Sequence, residues 1–382
     1  MSMGRYHPNM AVPTQVIWDC KPHTVAKHRI LERYLEAWYP ILMSWSGIVT
    51  YAEGFAGAGV YKNGEPGSPV RAAGVFLRRR QLLTRKTLNM VLVEANHLRI
   101  ERLKQEMTAA VSAYGTPPPE LQVHYEEGEC GDKLFPALAK AGALQAPIFA
   151  FLDSFGGPDV PLALARAIGR QPSSEVLVTF GTNFLTRFGN KDQHQQSGDE
   201  VFGSPEWQRV RQLPPEEKKA FLVSTYRRSL KNAGFPYVVS FEMIDNVGSD
   251  LHLVFGTTNP KGLEKMKDAM WQIDPVRGVH YRDPRDPNQM TLDFDLHPHL
   301  EPLSSALLHQ LGPGDQTLGD LQGYALLETV YRGPHATTAI RAMLDQGLVD
   351  RHPLNGQLTK GTRISLTAAG RRHLAGPDLR LF

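Results

Sequence analysis

The sequence predicts an α/β protein in which a mostly parallel sheet ends in an antiparallel hairpin and is followed by a C-terminal winged helix-turn-helix. Short apolar runs alternate with helical stretches between residues 47 and 180, which is typical of a parallel sheet covered on both faces. Two strand-like runs, 236–244 and 250–258, follow closely on one another and indicate a hairpin. Residues 301–382 combine two helical stretches at a turn with two strand-like runs, the order of a winged helix.

Composition and charge exclude several classes of protein. Hydrophobic residues make up 41% and charged residues 21% of the 382 residues, as in ordinary globular proteins. No apolar run approaches the ~18 residues that could span a bilayer, and the N-terminus lacks the apolar core of a signal peptide. We therefore expect a cytoplasmic protein without a membrane partner. The two cysteines, Cys20 and Cys130, can build neither a disulfide framework nor a thiolate zinc site.

Changes in composition divide the chain. The predicted parts are an N-terminal cap segment (1–45), an α/β domain (46–273), a linker rich in Pro, Asp and Arg (274–300) and the winged helix domain (301–382). The cap segment contains an amphipathic helix that Pro40 is expected to stop or kink. Within the α/β domain, the polar segment 181–213 is expected to be a long loop or lid.

The strongest motif is YAEGFAGAG at 51–59, directly after the first predicted strand. Glycines allow a sharp turn and a close approach of the backbone to a ligand. The candidate cofactor contacts in this motif are Glu53, Gly54, Phe55, Gly57 and Gly59. NAD and S-adenosylmethionine (SAM) both fit such a turn. SAM is favoured because the glycines follow the order GxxGxG and no helix begins at once to receive a pyrophosphate. An acid before the glycines can also hold the ammonium group of SAM. The element order matches Rossmann-like SAM-dependent methyltransferases, in which the last strand inserts antiparallel.

Two further acids are candidates for the nucleoside part of the cofactor. Glu94 ends the second predicted strand, where an acid accepts hydrogen bonds from a ribose diol. The alternative for Glu94 is a solvated acid at a strand end. After the third strand, Glu129 is the preferred acceptor for the adenine amino group and Asp132 the alternative, since spacing does not decide between them.

Asp153 and Phe155 are the candidate catalytic residues. The fourth predicted strand runs into LDSFG, and the carboxyl ends of parallel strands form the ligand crevice. Asp153 could accept a hydrogen bond from an amino or hydroxyl group and leave its lone pair directed at the methyl carbon. Phe155 offers a flat face for a planar acceptor. The alternative is that Asp153 caps a helix and Phe155 belongs to the core. Methyl transfer needs no metal, and we expect no metal site.

Several of these residues recur in a known family. They are Trp18, Thr24, Lys27, Tyr34, Leu35, Trp38, the YAEGFAGAG turn, Gly67-Ser68-Pro69 and the LDSFG strand end. The chain between residues 18 and 275 resembles the three-Cys-motif partner protein family, which is SAM-dependent methyltransferase-like. The resemblance implies SAM as cofactor and a partner protein bearing three cysteines. Lys27 could reach the cofactor carboxylate. Where the family has Asp-Pro-Phe-Gly, this chain has Ser154, which lacks the rigidity that proline imposes.

The C-terminal stretch LTAAGRRHL is similar to winged helix domains in general. Thr337, Thr338 and Arg341 lie on the candidate recognition helix and are the candidate nucleic-acid contacts. Eight Lys/Arg face seven Asp/Glu in 301–382, so charge alone does not indicate DNA binding. The favoured function is a SAM-dependent methyltransferase acting on a nucleic acid. The alternatives are a small-molecule methyltransferase whose winged helix forms a homodimer, and a non-catalytic regulator that binds nucleic acid.

Overall fold

The computed structural model describes residues 15–83, 85–155, 157, 159–182, 192–244, 250–282 and 297–374. The chain forms two units. The first comprises Met1–Ala269 and His280–Thr291, and the second comprises Met270–Val279 and Leu292–Phe382. The turn expected at 245–249 and most of the expected linker lie outside the described residues.

The first unit contains an eight-stranded sheet. Its strands are β1 (Ile48–Glu53), β2 (Thr87–Glu94), β3 (Leu121–Glu127), β4 (Ile148–Leu152), β5 (Glu175–Phe180), β6 (Tyr237–Ile244), β7 (Asp250–Thr257) and β8 (His280–Arg282). Every residue of β4 and β5 is buried, as expected for a sheet covered on both faces. Strand β4 is apolar throughout, whereas β5 also contains Glu175 and Thr179.

The strands lie in the order β3-β2-β1-β4-β5-β7-β6-β8. Strands β1 to β5 are mutually parallel, and β7 runs antiparallel between β5 and β6. The sequence correctly predicts this antiparallel insertion. Strand β1 occupies the centre of the parallel part, where Glu53 is paired in register with Leu92 of β2 and Phe151 of β4.

Helices pack on this sheet. Those that begin in the first unit are α1 (Pro22–Met43), α2 (Ser68–Arg79), α3 (His97–Ser112), α4 (Cys130–Lys140), α5 (Leu162–Gly169), α6 (Asp192–Phe202), α7 (Pro215–Asn232) and α8 (Pro260–Ile273). Helix α1 begins with proline in its first turn, where no backbone N–H is needed, and continues through Pro40. Its apolar residues at helical spacing, including Tyr34 and Trp38, are buried.

The structure adds detail to three parts of the predicted organisation. In the segment expected as an N-terminal cap (1–45), α1 has its buried face in the first unit. Much of the expected loop 181–213 is instead α6 and the 3-10 helix Pro205–Gln212, anchored by the buried Trp207. The expected linker 274–300 includes β8, which pairs in parallel with β6. Residues 183–191 lie outside the described part of the chain.

The second unit has its own core. Its elements are α9 (Glu301–Leu311), β9 (Gln316–Thr317), α10 (Leu318–Glu328), α11 (Gly333–Asp345), β10 (Val349–His352), β11 (Arg363–Leu366) and α12 (Ala368–Leu374). Strands β10, β11 and β9 form an antiparallel sheet. Trp271, from the end of α8, is buried in the core formed by these helices, which explains why residues 270–279 join this unit. The helices and strands predicted between residues 318 and 374 occur in the expected order, and α9 is a further helix within 301–382 that the sequence pattern does not predict.

Among the described residues, no helix combines the length and the apolar character needed to cross a membrane.

Candidate functional site

Three acids lie at one edge of the parallel sheet. Glu53 and Glu94 are the last residues of β1 and β2, and Asp153 directly follows β4. Because β1 lies between β2 and β4, the carboxyl ends of these strands are neighbours. This edge is where open α/β sheets form their ligand crevice. The structure therefore brings together the acids that the sequence predicts to serve one site.

The glycine turn after β1 depends on two left-handed residues. Gly57 has φ of 64° and Gly59 has φ of 74°, a region that residues with a Cβ rarely adopt. A Cβ on Gly59 would also lie 2.8 Å from Cδ1 of Leu103. The backbone N–H of Gly57 donates to Oε2 of Glu94 at 2.9 Å. The turn is thus tied directly to the acid that ends the neighbouring strand.

Glu94 is the central acceptor of this turn. Besides Gly57, the backbone N–H of Asn96 donates to its Oε1 at 3.0 Å. The guanidinium of Arg99 lies 3.6 Å from the same oxygen, and both side chains are nearly inaccessible to solvent. Glu94 is therefore not the solvated strand-end acid of the alternative interpretation. Each carboxylate oxygen has two lone pairs, so Glu94 keeps accepting capacity for a ligand hydroxyl.

Glu53 is a buried carboxyl group with two protein donors. The Tyr51 hydroxyl donates to Oε1, and the Ser68 hydroxyl donates to Oε2 at 2.9 Å. Burial raises the pKa of Glu53 to about 8, because the ionised form has lost most of its hydration. A cationic ligand group placed beside Glu53 would therefore help to ionise this carboxyl group.

Asp153 is held from two sides. The Lys27 ammonium donates to Oδ2, and the Thr179 hydroxyl of β5 donates to Oδ1 at 2.8 Å. Burial by itself would raise the pKa of Asp153, but the Lys27 cation and these two hydrogen bonds hold it below its ordinary value. Asp153 is thus an ionised acceptor, and it does not cap a helix. The structure gives Lys27 a different partner from the cofactor carboxylate that the sequence suggests.

His28 lies beside this ion pair as a neutral imidazole. It is 1% exposed, and its ring centroid lies 5.7 Å from that of Tyr61. Burial, assisted by the adjacent Lys27 cation, lowers the pKa of His28 to about 3. Its Nδ1 is buried without a hydrogen-bond partner in the described part of the protein. Lys27 and Asp153 therefore carry opposite charges beside a group that is uncharged at neutral pH.

Phe155 follows Asp153 in a strained turn. Its φ of 56° is unusual for a residue with a side chain. The Ser154 hydroxyl donates to the Gly157 carbonyl at 2.9 Å, and the Gly157 N–H donates to the Ser154 carbonyl at 3.1 Å. A hydrogen-bonded serine thus closes the turn at the position where the family resemblance has proline. The Phe155 ring is half-buried at the crevice and contacts the Trp18 ring edge-on.

The remaining predicted cofactor contacts differ in exposure. Gly54 is buried against Cys130, whose sulfur would lie 2.2 Å from a Cβ on Gly54. Phe55 is half-buried and packs on the core. Glu129 and Asp132 are both exposed at the start of α4, so burial does not distinguish between them as adenine contacts.

The candidate nucleic-acid contacts lie on α11. Thr338 and Arg341 are exposed. Thr337 is half-buried, and its hydroxyl accepts a hydrogen bond from Nε2 of Gln322 at 2.8 Å, so this hydroxyl already has a partner within the second unit.

A further buried acid lies at the opposite edge of the sheet. Glu175 begins β5 and lines a small pocket of about 60 Å³ together with Trp38 and Trp45. Burial raises the pKa of Glu175 to about 7. Tyr34 donates to one of its oxygens, and Thr257 donates to the other at 2.7 Å. Glu175 thus joins α1 to the sheet, away from the strand ends that carry Glu53 and Asp153.

No protein-family model and no curated protein matches this chain. Among solved structures, it is similar to Trm1 from Pyrococcus horikoshii in complex with S-adenosyl-L-methionine, with 12% identity and a TM-score of 0.35 over 68% of this chain and 61% of that chain. It is also similar to spermidine synthase from Thermotoga maritima, with 9% identity and a TM-score of 0.33 over 69% and 72%. For LPL1258 from Legionella pneumophila, the identity is 14% and the TM-score 0.39 over 66% and 92%. The chain spans about three fifths of the length of Trm1.

Proposed function

We propose that this protein is a SAM-dependent methyltransferase. The observation that carries the proposal is the set of three acids at adjacent strand ends around a left-handed glycine turn. The antiparallel strand β7 between β5 and β6 supports it, because that insertion distinguishes the methyltransferase sheet from a plain dinucleotide-binding sheet.

In this proposal, each side of the crevice binds one part of the cofactor. Glu94 accepts hydrogen bonds from the ribose hydroxyls, for which its unused lone pairs are suited. Glu53 receives the ammonium group and is ionised by it, which reverses the effect of burial on this carboxyl group. Glu129 or Asp132 accepts a hydrogen bond from the adenine amino group.

Asp153 positions the methyl acceptor. A bound SAM would supply a methyl group activated by its positively charged sulfur, and the sulfur would keep the electron pair of the broken bond when the acceptor lone pair bonds to the methyl carbon. Asp153 accepts a hydrogen bond from the acceptor N–H or O–H and so aims that lone pair. Because its pKa is lowered, Asp153 is a weak base, and the acceptor proton passes to water. Phe155 supplies the surface against which a planar acceptor lies.

The proposed acceptor is a nucleic acid. Support comes from the second unit, where Thr338 and Arg341 are exposed on α11, the helix that precedes the β10–β11 hairpin in the chain. A T338A/R341A variant should bind nucleic acid more weakly and with a lower salt dependence than the wild type. The matched control is R170A, which removes another exposed arginine, from the end of α5. Equal binding by both variants would contradict a nucleic-acid contact on α11.

The central test is methyl transfer from labelled SAM to DNA, RNA and cell extract. The wild type should label one of the nucleic acids. D153N should retain cofactor binding, measured by calorimetry, and lose most of the transfer. Asparagine is preferred to alanine here because it can still accept the hydrogen bond from Lys27. Full transfer by D153N would show that Asp153 does not position the acceptor. Failure of the wild type to bind SAM would contradict the proposed function.

A further inference from the structure

Trp18 lies across the crevice on the segment that precedes α1. Its ring centroid lies 5.6 Å from that of Phe155 and 6.0 Å from that of Tyr61, both in edge-on geometry. The guanidinium of Arg99 lies over the Trp18 ring, 5.0 Å from its centroid. The indole therefore reaches from the Glu94 side of the crevice, where Arg99 lies, to the Asp153 side, where Phe155 lies.

The indole also reaches the glycine turn. A Cβ on Gly57 would lie 3.6 Å from Cη2 of Trp18, an ordinary van der Waals distance. The main chain of the segment that carries Trp18 is anchored at two points. The Trp18 carbonyl accepts from the Lys62 N–H at 3.0 Å, and the Gln15 carbonyl accepts from Arg99 at 3.1 Å. The Trp18 ring is thus held in place and lines the crevice.

We propose that Trp18 contacts the sulfonium end of the cofactor and, with Phe155 and Tyr61, favours the charged cofactor over its neutral thioether product, S-adenosylhomocysteine (SAH). This inference rests on the proposed function. A methyl group that passes to an acceptor beside Asp153 would lie between the glycine turn and Phe155, and the Trp18 ring lies beside both. Aromatic rings attract cations through their electron-rich faces, and this attraction is lost when the sulfonium becomes a thioether. Trp18, Phe155 and Tyr61 would therefore bind SAM before the transfer more tightly than they bind SAH afterwards.

The test compares the dissociation constants of SAM and SAH in the wild type, W18L and W18F. W18L should weaken SAM binding about tenfold and SAH binding about twofold, because leucine keeps an apolar contact but has no ring. W18F should retain most of the preference for SAM. The matched control is W45L, because Trp45 is 58% exposed and lines the pocket at the opposite edge of the sheet. Circular dichroism and the thermal midpoint would check that each variant is folded.

The outcomes separate this inference from the function on which it rests. If the wild type binds neither ligand, the proposed function is wrong. If the wild type binds both ligands and W18L binds them with unchanged or higher affinity, the Trp18 ring does not contribute to cofactor binding. If W18L loses the same factor for both ligands, the ring only shapes the crevice and does not recognise the sulfonium charge. A selective loss of SAM affinity in W18L, partly restored in W18F, supports the inference.

Discussion

Lys27 and Asp153 form a buried ion pair although 126 positions separate them in the chain. Lys27 is near the start of α1, and Asp153 follows β4 at the centre of the sheet. Their side chains are 6% and 13% exposed, so neither charge is well hydrated. The pair therefore fixes α1 to the candidate catalytic edge and keeps Asp153 ionised.

Removing only one partner of this pair should destabilise the protein strongly. K27M leaves Asp153 buried without its counter-ion, and we expect a loss of roughly 3–5 kcal/mol in the free energy of unfolding. The double variant K27M/D153L removes both charges and should recover most of that loss, while methyl transfer stays abolished. Urea unfolding of the wild type, both single variants and the double variant measures the coupling. Equal unfolding midpoints for K27M and the wild type would mean that water, and not Lys27, stabilises the negative charge of Asp153.

Glu53 should make the cofactor-free protein less stable as the pH rises. Its pKa is raised from 4.5 to about 8 by burial, so the folded state retains a proton that the unfolded chain releases. Its contribution is fully present below pH 4.5 and is lost as the pH rises through about 8. The groups facing Glu53 are Tyr51, Ser68, Lys27 and Asp153.

E53Q cannot ionise and should flatten this part of the stability profile. Urea midpoints of E53Q and the wild type, measured between about pH 5 and about pH 9, should converge and then cross as the pH rises. Glu175 has a pKa of about 7 and titrates in the same range, but it is present in both proteins. The difference between the two profiles therefore reports Glu53. A difference that stays constant with pH would show that Glu53 does not titrate there.

Sequence patterns predict the strand-end acids well and the contacts between distant segments poorly. The sequence predicts Glu53, Glu94 and Asp153 because an acid that ends a buried apolar run can be recognised within one short stretch of sequence. It does not predict the partners of Asp153, since Lys27 and Thr179 reach this carboxylate only after α1 and β5 have packed on β4. The three-residue strand β8 is too short to leave a period-2 pattern, and the polar sequence of α6 conceals its helix. Trp18 and Lys27 had one signal, their place in the family resemblance.

Ser154 should control transfer through the turn that carries Phe155. S154A removes the hydroxyl that donates to Gly157, leaving that carbonyl without this bond beside a residue at φ of 56°. We expect a loss of about 1 kcal/mol in stability and a several-fold lower kcat, with the affinity for SAM unchanged. The control is S44A, because the Ser44 hydroxyl makes a similar bond to the Ile41 carbonyl on an exposed helix end. Unequal SAM affinity with unchanged kcat would place Ser154 in the cofactor site instead.

We expect the lack of a side chain at Gly54 to be needed mainly for packing against α4 and only secondarily for binding a ligand. A Cβ at this position would lie 2.2 Å from Sγ of Cys130 and 3.3 Å from Cδ2 of Leu152. G54A should therefore cost about 1–3 kcal/mol, as overpacking of a buried site does. Replacing the cysteine by alanine removes the sulfur and most of the conflict, so G54A/C130A should lose less stability than the sum of the two single variants. SAM affinity measured on the double variant then reports the turn itself. Additive losses would mean that the added methyl group is accommodated elsewhere and that Cys130 does not set the space available to Gly54.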